Sequence, residues 1–164
     1  MKNYFLNNLG FNLNDEEMAD ISHPKAELIT HITLKTSQLF SIVGTLIFHP
    51  VRQMVKKDLC PRNFVIKGAR TGAKGAAIGA VAGTILSLVV IEKKKLEHDG
   101  LYDRAYRLRH NRGQVLVDQA SVGLATVGAI GGTVMGKGMV VPGVWGLVGG
   151  VCGAAAYNNF IRKK

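Results

Sequence analysis

Gly68, Gly72, Gly75, Gly79 and Gly83 punctuate an apolar stretch that ends in the bulky run of residues 85–91. Threaded as a helix, the five glycines fall within about 80° of arc at ~100° per residue. In water each costs a helix roughly 1 kcal/mol relative to alanine, so five on one face require a compensating contact. Close approach of a second helix in lipid supplies it, because helix interfaces there use small residues three or four apart. The pattern recurs near the C-terminus. Gly143, Gly146, Gly149, Gly150 and Gly153 occupy about 120° of arc, again at ~100° per residue. Val144, Trp145, Leu147, Val148 and Val151 fill the opposite side. These two faces predict an all-α chain, an integral membrane bundle of glycine-rich transmembrane helices.

The rest of the chain divides around them. Residues 1–27 read as a polar N-terminal leader with little core of its own, peripheral or extended, in which Asn14 or Asp15 can cap a short helix. The membrane domain is expected over 28–161, with spans at about 28–49, 70–91, 117–136 and 139–160, and 162–164 as a basic tail. In the first block only 16 uncharged residues separate Lys35 from Arg52, fewer than the ~20 needed to cross a bilayer core. Counting from Leu28 restores the length, with Lys35 snorkelling to the surface. Thr30, Thr33, Ser37, Ser41 and Thr45 form a stripe about 120° wide at ~100° per residue, and Pro50 is expected to end that helix. The third block has 18 uncharged residues between Asp118 and Lys137, and the fourth has 24 before Arg162. With only a short break at Lys137 to Pro142, these two should form a tight antiparallel hairpin. Four crossings put both termini on one side. Basic residues on both sides leave orientation unassigned by the positive-inside rule.

The mean hydropathy of +0.14 averages such blocks with basic connectors. The formal charge of +10 calls for an anionic partner. Arg104, Arg107, Arg109 and Arg112 crowd around Tyr102 and Tyr106 in the connector 92–112. Tyrosine rings suit the headgroup level, and polybasic segments beside spans attract anionic lipid, so these four arginines are expected at lipid headgroups. Nucleic acid is set aside as a partner, because Glu97, Asp99 and Asp103 dilute the patch and apolar glycine-rich blocks have no use there. The N-terminus lacks the apolar core of a secretory signal and the acid-poor character of a transit peptide.

No catalytic, cofactor or metal site is legible. Residues 131–138 follow a phosphate-binding loop until the last position, where Gly138 stands in place of the required hydroxyl residue. The five histidines are scattered without metal-ligand spacing, and Cys60 and Cys152 read as free thiols. Asp118 is expected in a structural ion pair with a neighbouring lysine or arginine, and its place before an apolar helix suits that helix's positive end.

Residues 75–83, with glycine at Gly75, Gly79 and Gly83, resemble the second span of the Tim family of mitochondrial inner-membrane proteins. Gly131, Gly132 and Gly136 match the Gly-Gly-x-x-x-Gly end of that family's signature. The family includes pore-type subunits of inner-membrane import translocases and a four-helix accessory subunit of respiratory complex I. The signature's arginine four residues before an aspartate is not kept here, Asp118 being preceded by Arg112, which turns the resemblance towards the accessory subunit. The resemblance implies a non-catalytic, multi-pass subunit of the inner membrane that packs on other membrane subunits of a respiratory complex and contacts an anionic lipid such as cardiolipin. An import-channel component is the alternative. Gly68, Gly72, Gly75, Gly79, Gly83, Gly131, Gly132, Gly136, Gly143, Gly146, Gly150 and Gly153 are the expected helix-packing positions.

Overall fold

The computed structural model describes residues 1–57 and 60–162, and among these it is all-helical with no strand. The leader forms α1 (Lys2–Asn8) and α2 (Asp15–Ala19). The first long helix runs as α3 (Pro24–Ile42), a π-helical segment Val43–Phe48 and α4 (His49–Val55) without a break in helical dihedrals. It is followed by α5 (Pro61–Lys93), α6 (His98–His110), α7 (Arg112–Val134) and α8 (Val140–Phe160). Pro24 and Pro61 start their helices where a missing N–H costs nothing.

Pro50 does not end the first helix, contrary to the sequence expectation. Proline in a helix interior loses one hydrogen bond, and its ring crowds the carbonyl four residues back. Here the helix widens just ahead of it, so that the His49 N–H reaches the Gly44 carbonyl five residues back. A π-bulge of this kind is a recognised way for a helix to absorb such a conflict.

The helices form two antiparallel pairs. The first helix packs along α5, and α7 packs along α8. The α7–α8 turn closes through Gly136 (φ 68°) and Gly138 (φ 76°), left-handed positions that glycine adopts without a Cβ penalty. Phe64 and Trp145 lie with ring centroids 5.9 Å apart, and Trp145 Nε1 donates to the Val65 carbonyl at 3.1 Å. These contacts fix α8 against the start of α5. At the other end, α6 crosses the first pair: Leu28, Ile91 and Leu101 form a small apolar core there, flanked by Ile29, Ile32, Leu96 and Leu108.

Three helices are long and apolar enough to cross a membrane: Pro61–Lys93, Arg112–Val134 and Val140–Phe160. The first helix is not among them, so three of the four expected spans are apolar enough by length and composition. Its length suffices, but its buried face carries Glu27, His31, Gln38, Ser41, Thr45, His49 and Gln53.

Nor is the leader peripheral. Asn14 and Glu17 form a reciprocal capping box at 2.7 and 3.0 Å. Tyr4 and Ile21 are buried, and Tyr102 Oη donates to the Ala19 carbonyl at 2.7 Å.

Candidate functional site

The glycine faces are the seats of both helix pairs. Along α5, a methyl group added at Gly75 or Gly79 would overlap the carbonyls of Phe40 and Thr36, and at Gly83 the Thr36 side chain. Thr45 occupies the space over Gly72, and the His49 ring lies over Gly68 at 3.3 Å from where a Cβ would stand. The first helix therefore rests its backbone directly on the α5 glycines. Thr33 and Thr84 add a hydroxyl bond of 2.9 Å across the pair.

In the second pair, Gly146 and Gly150 receive the carbonyls of Leu124 and Ala120, Gly132 abuts Gly138 and Pro142, and Gly143 meets Ala129. Gly131 and Gly153 face open space, so they pack against nothing among the described residues. Gly136 belongs to the turn rather than to an interface, again with nothing near it. Two packing glycines escaped the sequence reading, Gly44, where a Cβ would stand 3.0 Å from the Thr71 carbonyl, and Gly128 against the Pro142 carbonyl. Their signal was the lack of bulk beside a partner that only the fold identifies.

A polar seam runs beside these seats. Glu27 and Arg109 are 1% and 2% exposed. Arg109 Nε donates to Glu27 Oε2 at 3.0 Å and Nη2 to Oε1 at 2.5 Å. Its Nη1 serves the carbonyls of Glu17, Met18 and Asp20 at 3.0–3.1 Å. Arg109 is therefore not a headgroup residue, which corrects the sequence expectation. Its fork is consumed in tying α6 to α3 and to the free carbonyl end of α2. The other three arginines stay exposed. Arg107 pairs with Asp103 at 3.0 Å. Arg112 lines an open groove of about 870 Å³ between α3, α7 and α8, with Lys35, Arg162, Leu39, Ile42 and Val117.

One helical turn further along the seam, Asp118 is buried in α7. Lys35 Nζ lies 2.6 Å from its Oδ1, and His31 Nδ1 3.6 Å from Oδ2. The Gln38 amide donates to Asp118 at 3.0 Å and to Ser121 Oγ at 2.7 Å. Lys35 thus turns inward to a carboxylate rather than snorkelling outward. The i, i+4 spacing of Glu27, His31 and Lys35 in an otherwise apolar block was the available signal. A buried ionisable group in a membrane segment should have a named partner, and each of these does. Tyr4 faces the same junction, and burial, aided by the negative charge of Asp118, pushes its hydroxyl up to about 12. Among the described residues no His, Cys, Asp or Glu cluster could hold a metal ion.

A family model for proteins of unknown function, DUF1757, matches residues 4–161. The chain belongs to the DUF1757 family. No curated protein matches it. The matched segment runs from Tyr4 in α1 to just beyond α8, so the DUF1757 unit takes in the docked leader, the seam and both glycine pairs.

Proposed function

We propose that this protein is a non-catalytic, membrane-embedded assembly subunit, a bundle of three apolar spans and one polar-faced helix. The observation that carries this reading is how the polar groups are used. Glu27, Arg109, Lys35 and Asp118 are spent on one another, and Ser41 and Thr45 are fully covered by α5. Meanwhile Ile78, Val81, Ile85, Val127, Ile130 and Val134 project outward, each more than half exposed. Such apolar surface exceeds what a soluble monomer ordinarily shows and suits lipid and neighbouring helices.

The complex it serves, on this reading, is respiratory complex I in the mitochondrial inner membrane, as the resemblance to the Tim family and its accessory subunit implies. Its partners there are other membrane subunits and an anionic lipid. An import-channel component is the alternative: in the Thr30-to-Thr45 stripe, Ser41 and Thr45 are buried while Thr30, Thr33 and Ser37 keep partial exposure.

Carbonate extraction of fractionated organelles followed by native-gel separation tests both levels. The protein is expected in the mitochondrial membrane pellet and in the complex I band. Migration wholly apart from respiratory complexes would defeat the finer assignment, and release into the carbonate supernatant would defeat the membrane reading itself.

A further inference from the structure

At the end of the bundle away from the leader, α4 and the first turns of α5 line a half-open cavity of about 280 Å³. Arg52, Lys56, Lys67 and Arg70 line it, and no carboxylate does among the described residues. Arg52, Lys56 and Arg70 make no ion pair with any described residue. Cations gathered around one cavity repel each other and concentrate anions in it. The cavity's remaining walls include His49 and Gln53, only 4% and 7% exposed. Each keeps a side-chain nitrogen, Nε2, without a hydrogen-bond partner. A buried polar group left unpaired costs on the order of 1–3 kcal/mol, so two side by side in a cationic cavity point to a ligand that completes them.

The backbone is shaped for this arrangement. Ser41, Thr45, His49 and Gln53 follow one another at intervals of four, a spacing that drifts around a regular α-helix of 3.6 residues per turn. The π-helical segment between Ser41 and His49 widens the turn and takes up the drift. His49 thereby lies over Gly68, with Gln53 one turn on, at the mouth formed by the cations.

We infer that this cavity is a binding site for a phosphate group. Arginine forks and lysine ammonium groups together match phosphate oxygens, and the unpartnered Nε2 atoms of His49 and Gln53 add side-chain nitrogens to the lining. The volume is several times the ~30 Å³ a water occupies in the liquid, enough for a phosphoryl group and what it is attached to. The source is either a lipid headgroup at the bilayer boundary or a soluble phosphate. This inference stands apart from the assembly reading.

The test uses the full chain in a phosphorus-free detergent, with native mass spectrometry and thermal midpoints as readouts. Inorganic phosphate is one probe, phosphatidic acid in mixed micelles the second, and oleate a carboxylate control. The pocket variant is Lys56→Gln with Arg70→Gln. Lys93→Gln with Lys94→Gln removes the same charge at the opposite end. All four positions are exposed, so both variants are expected to fold, which their thermal midpoints check. At least one phosphate probe is expected to bind wild type about tenfold or more tightly than the pocket variant, with the distal variant unchanged. Binding of inorganic phosphate assigns a soluble source, and binding of phosphatidic acid alone assigns a lipid. The inference is overturned if neither probe binds, if both variants lose affinity equally, or if oleate binds as tightly as phosphatidic acid.

Discussion

Arg109 and Glu27 lie 82 positions apart in the chain, yet each is the other's main charge partner in a nearly dry site. Removing one member leaves an uncompensated buried charge, which costs about 3–5 kcal/mol, whereas replacing both with well-packed apolar residues is often neutral. Arg109→Met and Glu27→Met are therefore each expected to lower thermal stability in detergent by that order. The double variant should recover most of the loss, and additive losses would show that the two act separately. Tyr4 gives a pH-dependent counterpart. Its folded-state value, raised from 10.0 to about 12, means that the protonated phenol is favoured in the fold. That contribution is fully present below pH 10 and is lost as pH rises through about 12. Wild type should accordingly lose roughly 1–3 kcal/mol relative to Tyr4→Phe across that window. Parallel alkaline unfolding curves for the two would contradict it. An ion pair at Asp118 was expected from the sequence, but not with Lys35, which was expected to snorkel outward. The Arg109 pairing was not legible, because its tyrosine-rich, arginine-rich surroundings read equally well as a membrane surface.

At the scale of elements, glycine periodicity identified which faces dock but not which individual glycines carry the contact. Gly146 and Gly153 are alike in sequence pattern, and only the partner helix distinguishes them. Gly146→Ala sets a methyl group against the Leu124 carbonyl and must part α7 from α8. Gly153→Ala meets nothing and gains up to about 1 kcal/mol of helix propensity. Thermal unfolding of the two variants should therefore shift in opposite directions, Gly146→Ala losing about 1–3 kcal/mol; shifts of the same sign would refute this division of the face. The α5 seats behave likewise, Gly75 and Gly79 being closed by carbonyls that cannot rotate away. The first helix was the hardest element to read. Proline and a short uncharged run predicted a stop near residue 50, whereas a widened turn let the helix continue. Nothing local announces that turn, since its benefit lies in keeping Thr45 and His49 over Gly72 and Gly68.

For the whole molecule, charge is divided more sharply than the chain order suggests. The connector between α4 and α5 and the turns beside it carry Arg52, Lys56, Lys57, Arg62, Lys67, Arg70 and Lys74 in the sequence, with Asp58 as the single acid there. Nearly all other acids belong to the opposite end, with the leader and α6. Helix α5, at 33 residues and ~1.5 Å per residue, is about 50 Å long, well beyond the ~30 Å hydrocarbon core. Its uncharged stretch between Lys74 and Glu92 is 17 residues, about 25 Å of helix, so the basic first turns stand at headgroup level and beyond. The two ends of the bundle should then lie on opposite sides of the membrane. Cys60, exposed at the basic end, and Cys152, exposed on the apolar flank of α8, supply the probes. In sealed vesicles a membrane-impermeant thiol reagent is expected to reach Cys60 from one side only and to leave Cys152 unlabelled. Asn12→Cys, placed in the leader with both native cysteines changed to serine, should be labelled only from the other side. Labelling of Cys60 and of Asn12→Cys from the same side would mean that the helix pairs do not cross. The chain would then have to lie along the surface, where the outward aliphatic faces of α5 and α7 have no apolar medium to meet.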